Sequence, residues 1–184
     1  MSSTAGQILA DQILEDGTLA VTAVHFDSSV VKTTRISVSD YANSFDAGQA
    51  AGAILPKEGL KHVFVLSDGQ LVNGTELVEG LRTGVDSSVG STGGLAGDDA
   101  RFEKTLLGLN EAPQIGLVIA IGFYGEYLRV GYWYKGGWDP FGPERMITRS
   151  QQNELFELDG RSALDIYKEY LGEMAQELPG AALR

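Results

Sequence analysis

The chain has 184 residues, 43% of them apolar, which is enough for one domain with a hydrophobic core and argues against a disordered chain. Fourteen Lys and Arg against 25 Asp and Glu give a net charge of −11, which disfavours binding to nucleic acids and to anionic membranes. The absence of cysteine excludes disulfides, thiolate metal sites and thiol nucleophiles.

We expect no targeting signal at the start of the sequence. Its first residues, MSSTAGQILADQIL, lack the basic start and the unbroken apolar run of a signal peptide. The strongest apolar run, residues 116–123, is far shorter than the roughly 20 residues that a membrane helix needs. We therefore expect a soluble, cytoplasmic protein.

Two strands and one helix are predicted in the first third of the chain. Residues 19–26 (LAVTAVHF) and 33–38 (TTRISV) have the length and the apolar pattern of strands. Apolar residues then recur at helical spacing from Ala47 until Pro56 ends the run. Because this helical face consists mostly of alanine and glycine, we expect it to lie very close to a sheet.

A strand, a turn and a helix follow. Residues 62–67 (HVFVLS) predict a strand, and the dipeptide Asp68-Gly69 predicts a turn. Asn73 stands at the start of the next helical pattern in a capping arrangement, and the pattern ends near Gly84.

A β-hairpin is predicted in the middle of the chain. Residues 104–109 fit a short strand, and residues 115–123 (IGLVIAIGF) fit a strand that is covered on both faces. Gly125-Glu126 then predicts a two-residue turn into a second hairpin strand at 127–134, where apolar and other residues alternate.

The last part of the chain predicts two short strands and a helix. The strands are expected around residues 146–148 and 155–158, and Ser162 with Asp165 can cap the helix. Strands outnumber helices in this order, and some strands are joined by hairpins. The sequence therefore predicts an α+β fold with a mixed, largely antiparallel β-sheet and a few packing helices.

Common catalytic and metal-binding motifs do not occur in the sequence. The glycines of residues 90–97 (GSTGGLAG) have the wrong spacing for a phosphate loop or a dinucleotide-binding turn. Asp98-Asp99 lacks the alternating oxygen ligands of a calcium loop. His25 and His62 are the only histidines, no nucleophile motif accompanies them, and each is readily explained as a surface or core residue.

Aromatic residues are concentrated in one segment. Residues 123–141 contain half of the aromatic side chains of a sequence with 7 Phe, 7 Tyr and 2 Trp. Such a concentration could line a small-molecule pocket. It could equally supply core contacts and cross-strand pairs of the predicted hairpin.

Six stretches stand in the order and approximate spacing of one protein family. They are STAGQIL, LSDGQLVNGTELVEGL, GGLAGDDARFEKT, IGFYGEYLRVG, GGWDPFGPERMITRS and NELFELDGRSALDIYKEYLG. Together they resemble the amino-terminal part of the FIST domain (F-box and intracellular signal transduction). The resemblance implies a sensory module of bacterial signalling proteins that binds small molecules such as amino acids, with no established catalytic residues. Some relatives are haem proteins that sense nitric oxide and act on histidine kinases.

The resemblance also carries expectations about the extent of the domain. Family members usually begin earlier and continue into a carboxy-terminal domain, so we expect a chain truncated at both ends. Residues 1–160 would form a partial amino-terminal FIST domain, and residues 161–184 a helix and the start of a linker to a missing domain. Residues 85–92 are more polar than the corresponding strand of relatives, and we expect no regular strand there.

Two glycine-containing segments, 67–74 and 93–98, predict a ligand pocket. Glycine lets the backbone approach a ligand or another chain segment closely, and we expect the two segments to converge. The predicted lining residues are Ser67, Asp68, Gly69, Asn73, Gly93, Gly94, Gly97 and Asp98, with Trp138 as a possible wall. An amino-acid-like ligand would bind through its ammonium to Asp68 or Asp98 and through its carboxylate to glycine amides. The alternative is that these residues form tight turns that hold the fold together.

Three functions remain open from the sequence. The first is a non-catalytic sensor that binds a small molecule and acts on a signalling partner such as a histidine kinase. The second is a haem-based nitric oxide sensor with His25, His62 or a tyrosine as axial ligand. The third is a hydrolase that uses the carboxylates of Asp68 and Asp98 as acid and base. We predict no metal site.

Overall fold

A computed structural model describes residues 1–14, 17–99, 101–134, 136, 139–140, 142–151 and 154–178. The chain divides into two compact units, Met1–Tyr132 and Trp133–Arg184. Both contain helices and strands, and most of the strand pairs are antiparallel, so the predicted α+β fold is confirmed. The boundary at residues 160 and 161 that we predicted for the family's domain stays a prediction.

A four-stranded mixed sheet forms the centre of the first unit. The strands of this unit are β1 (Gln7–Leu9), β2 (Gln12–Leu14), β3 (Val30–Ser37), β4 (Leu60–Ser67), β5 (Gly90–Leu95) and β6 (Leu117–Tyr124). The sheet has the strand order β3-β6-β4-β5, and within it only the pair β4–β5 is parallel. The strands β1 and β2 form a small separate hairpin that precedes the sheet in the chain.

Two capped helices belong to this unit, α1 (Ser44–Ile54) and α2 (Gly74–Gly84). The Asn43 side chain accepts a hydrogen bond from the Asp46 amide at 2.8 Å and so caps α1. The Asn73 side chain accepts from the amides of Thr75 and Glu76 at 3.1 and 3.2 Å. These bonds satisfy donors that a helix start otherwise leaves unpaired, and both predicted helices are confirmed.

Glycines bring α1 and α2 into backbone contact. A Cβ at Gly48 of α1 would lie 2.1 Å from the Leu77 carbonyl oxygen, and one at Gly80 of α2 would lie 1.9 Å from the Phe45 carbonyl oxygen. The alanines Ala47 and Ala51 are fully buried in the core that also contains strand residues. We expected a very close approach of α1 to a sheet, but the close backbone contact is made to α2 through the glycines. The alanines of α1 are buried in the core beside strand residues.

The second unit contains a three-stranded antiparallel sheet and a helix. Its elements are β7 (Ile147–Gln151), β8 (Glu154–Leu158), β9 (Arg161–Ser162), α3 (Ala163–Leu171) and a 3₁₀ helix (Gly172–Glu177). The Ser162 hydroxyl accepts from the Asp165 amide at 3.2 Å, which confirms the predicted cap. Within the described parts of the chain, no helix combines the length and the apolar character needed to cross a membrane.

The predicted hairpin at residues 115–134 is wrong. Residues 117–124 form β6, but residues 127–134 form no strand. Both edges of β6 are already occupied, since β3 pairs with one along its whole length and β4 with the other. No edge is left for a hairpin partner, although the alternation of residues 127–134 suits a strand.

Two further strand predictions are wrong, and one expectation is overturned in part. Residues 19–26 form no strand, and at 104–109 the pairing is limited to isolated bridges of Leu107. We expected no regular strand at 85–92, yet β5 begins at Gly90. The glycine-rich run is therefore itself a strand, which its parallel pairing with β4 stabilises despite a composition that is poor for strands.

Candidate functional site

The segments 67–74 and 93–98 lie side by side, as the sequence predicts. Ser67 stands opposite Leu95 in the parallel pair β4–β5, and the Ala96 amide donates to the Ser67 carbonyl oxygen at 2.8 Å. At Gly69 the two segments leave no room, because a Cβ there would lie 1.9 Å from the Ala96 carbonyl oxygen. The glycine at 69 thus serves chain packing, and any ligand space lies elsewhere.

A cleft of about 290 Å³ opens between α2 and the strands β4 and β5, and we call it the β5 cleft. Its volume lies just below the range of about 300–1,000 Å³ that is usual for small-molecule pockets. It is lined by the apolar residues Val65, Leu77, Val78 and Leu95, the hydroxyl residues Ser67, Ser91 and Thr92, and the glycines Gly74, Gly93 and Gly94. Of the predicted lining residues, the cleft includes Ser67, Gly93 and Gly94.

Ser67 is the polar group that the β5 cleft leaves unsatisfied. The residue is only 1% exposed, and its hydroxyl oxygen has no hydrogen-bond partner among the described residues. A buried hydroxyl without a partner costs about 1–3 kcal/mol of stability. A ligand group that reaches this hydroxyl can therefore recover that free energy.

Glycine is required at position 93 by the sheet itself. Its φ of +154° is one that other residues rarely adopt, and a Cβ there would lie 1.8 Å from the Val65 carbonyl oxygen. At Gly94, in contrast, a Cβ would meet nothing within 4 Å. The two glycines thus border the same cleft, but only Gly93 is fixed by local packing.

Asn73 holds the start of α2 and does not line the cleft. Its side chain caps the helix, and its backbone amide donates to the Ser44 hydroxyl at 2.9 Å. This second bond ties the start of α2 to the first residue of α1. The next residue, Gly74, is the one that borders the cleft.

Asp68 is fully buried and holds the turn after β4. One carboxylate oxygen accepts from the amides of Gln70 and Leu71 at 2.8 and 2.9 Å, and the other accepts from the Gly116 amide at 2.9 Å. Burial alone would raise the pKa of Asp68. The three amides and a hydrogen bond from Thr105 outweigh burial and lower the pKa below its usual value. The Asp68 carboxylate is thus hydrogen-bonded to groups of the protein itself, and it does not line the β5 cleft.

Asp98 and Gly97 likewise contact the protein's own backbone. One Asp98 oxygen accepts from the amides of Glu103 and Lys104 at 2.7 and 2.9 Å. A Cβ at Gly97 would lie 2.9 Å from the Ala5 amide nitrogen, so glycine permits contact with the amino-terminal segment. Neither residue lines the cleft. Both fit the alternative that these residues form tight turns that hold the fold together.

The remaining sequence signals contribute little to the cleft. Trp138 lies outside the described residues, so its predicted role as a wall stays a prediction. Tyr127, Trp133 and Tyr134 are strongly exposed and do not line it. The sequence prediction missed the other lining residues of the cleft. Two of them, Gly74 and Leu95, lie within the segments 67–74 and 93–98 that predict the pocket.

The haem alternative stays a prediction, and the structure shows the surroundings of its candidate ligands. The His62 Nε2 is hydrogen-bonded to the Thr92 hydroxyl at 2.8 Å, and burial lowers the pKa of its imidazole. His25 is exposed on the surface beside Asp27. The buried Tyr124 phenol has a raised pKa because of burial, which disfavours the phenolate that binds iron.

The comparison with protein families gives one clear result. The sequence model of the FIST N domain family matches residues 2–161, which is most of the chain. The match covers every element of the first unit and both longer strands of the second. No curated protein and no solved structure matches the chain.

Proposed function

The chain belongs to the FIST N domain family of signal-transduction sensory domains, and on this premise we propose that it senses a small molecule in the β5 cleft. The observation that carries the proposal is the buried Ser67 hydroxyl, which lines the cleft and has no partner among the described residues. We propose a non-catalytic role, because Asp68 and Asp98 both bind backbone amides and neither lines the cleft.

Ligand binding can be transmitted through α2. Leu77 and Val78 of this helix line the cleft, while Gly80 on the same helix touches the Phe45 carbonyl of α1. A ligand that packs against Leu77 and Val78 would favour one position of α2, and the glycine contact would pass that preference to α1. A signalling partner such as a histidine kinase would then recognise the helix pair.

Amino acids, the class that the resemblance suggests, are the first compounds to test. The two carboxylates that we expected to bind the ammonium are engaged within the fold, so an amino acid would have to keep its ammonium in solvent. Its side chain would pack on Leu77 and Leu95.

A thermal-shift panel of amino acids and small uncharged metabolites tests the proposal on the chain as it exists. A ligand should raise the melting temperature of the wild-type protein and of Ser37→Ala, in which a β3 hydroxyl outside the cleft is removed. It should fail to do so for Ser67→Ala. Stabilisation that survives in Ser67→Ala, or a panel with no stabilising compound, would count against the β5 cleft as the sensory site.

A further inference from the structure

We propose that the β5 cleft selects an uncharged ligand, one with an apolar body and a single hydrogen-bonding head group. This inference rests on the proposed function and names the ligand class of the same site. Among the described residues, those that line the cleft include no acidic and no basic side chain. The buried polar atom of this lining that lacks a partner among the described residues, the Ser67 hydroxyl, is neutral and can both donate and accept a hydrogen bond.

A cationic head group has no counter-charge in the cleft. The nearest sequence candidates, Asp68 and Asp98, accept hydrogen bonds from backbone amides and lie outside the lining. An ammonium buried against Ser67 would therefore lose its hydration without an ion pair in return. That loss is much larger than the gain from one hydroxyl.

An anionic head group is disfavoured by three features. The amides of Thr75 and Glu76, which a carboxylate could otherwise bind at the start of α2, are already capped by Asn73. Glu76 itself adds a negative charge to the first helical turn. The chain's net charge of −11 also repels anions at long range.

The apolar part of the ligand follows from the other walls. Val65 and Leu77 are buried in the core beside the cleft, and Val78 and Leu95 are partly exposed at its open side. A branched aliphatic group that packs between these walls would remove apolar surface of Val78 and Leu95 from water. An amide, alcohol or ketone head group would then reach the Ser67 hydroxyl.

Four compounds that share an isobutyl body and differ in charge test this inference: isovaleramide, isovalerate, isoamylamine and leucine. Dissociation constants are measured by titration of amide chemical shifts in wild-type protein, Ser67→Ala and Ser37→Ala. We expect isovaleramide to bind wild type and Ser37→Ala at least about tenfold more tightly than the three charged compounds. Ser67→Ala should lose that preference, and its melting curve verifies that it is folded.

Three results would overturn the inference, and they differ in what they say of the proposed function. Equal or tighter binding of a charged compound in the β5 cleft would refute the uncharged class and leave the sensory cleft in place. Tighter binding of isovaleramide that Ser67→Ala leaves unchanged would refute recognition by this hydroxyl. Failure of all four compounds to bind would also refute an uncharged ligand with an isobutyl body. The thermal-shift panel described under the proposed function would then decide whether the β5 cleft is the sensory site.

Discussion

Gly93 and Gly94 are neighbours in β5, yet a methyl group would meet opposite surroundings at the two positions. At Gly93 it would lie 1.8 Å from the Val65 carbonyl oxygen, and at Gly94 it would meet no atom within 4 Å. Both residues line the β5 cleft. One glycine of the pair is thus needed for the parallel contact with β4, and the other leaves open space beside the cleft.

Alanine substitutions separate these two roles. We expect Gly93→Ala to lower the free energy of unfolding by about 3 kcal/mol, because it adds both a steric clash and an unfavourable φ. Gly94→Ala should change it by less than about 0.5 kcal/mol, as for other unhindered surface positions. Urea unfolding of the two variants measures the difference, and equal losses would contradict the assigned contact at Val65.

Removal of the Ser67 hydroxyl should leave the stability of the free protein unchanged or increase it. Because the oxygen is buried and has no partner among the described residues, Ser67→Ala removes an unmet hydrogen-bonding group while it keeps the shape of the strand. We expect the free energy of unfolding to stay the same or rise by up to about 1 kcal/mol. A loss of more than about 1 kcal/mol would mean that the hydroxyl has a partner inside the protein.

Asp68 should stabilise the fold only in its charged form. Asp68→Asn keeps an oxygen for two of the three amides but turns an amide group toward the Gly116 amide, which also donates. We expect a loss of about 3 kcal/mol at neutral pH, measured by urea unfolding. Asp11→Asn, at an exposed turn, serves as the control and should change little.

The effect of Asp68→Asn should also depend on pH in one direction. The pKa of Asp68 in the folded protein lies below the ordinary value of 3.8, so the folded state binds its proton less readily than the unfolded chain does. The stabilisation that the Asp68 carboxylate provides is therefore complete above pH 3.8. It is lost as the pH falls from 3.8 through the lower pKa that Asp68 has in the folded protein. The difference between wild type and Asp68→Asn should shrink below about pH 4, and a difference that stays constant there would contradict the charge-based role.

The contact between α1 and α2 predicts opposite effects for two glycines of α2. A methyl at Gly80 would lie 1.9 Å from the Phe45 carbonyl oxygen, whereas one at Gly74 would make ordinary contact with Leu95 at 3.6 Å. Although alanine favours a helix by about 1 kcal/mol over glycine, Gly80→Ala should lose at least about 2 kcal/mol. Gly74→Ala should be neutral or stabilising. Thermal unfolding compares the pair, and a stabilised Gly80→Ala protein would refute the close helix contact.

Features that depend on a few neighbouring residues could be predicted from the sequence. The caps of Asn73 and Ser162 act on amides two or three residues away, so the local order of residues was sufficient. Strand pairing depends on distant parts of the chain. Residues 127–134 alternate like a strand, but β3 and β4 occupy both edges of β6. Periodicity contains no information about which edge is free.

The same distinction applies to the candidate site. The sequence indicated that the segments 67–74 and 93–98 would meet, and Ser67, Gly93 and Gly94 do border the β5 cleft. It could not indicate that Asp68 would be enclosed by amides as distant as that of Gly116. A carboxylate beside glycines looks the same in a sequence whether it binds a ligand or the protein's own backbone.

The most direct test of the account is to map where a stabilising small molecule binds, by amide chemical shifts of the isotope-labelled protein. We predict that the largest shifts fall on the residues of the β5 cleft, above all Ser67, Gly74 and Gly94, and that they disappear in Ser67→Ala. Largest shifts on residues outside the cleft, such as those around Asp98 or on α3, would contradict the claim that this cleft is the sensory site.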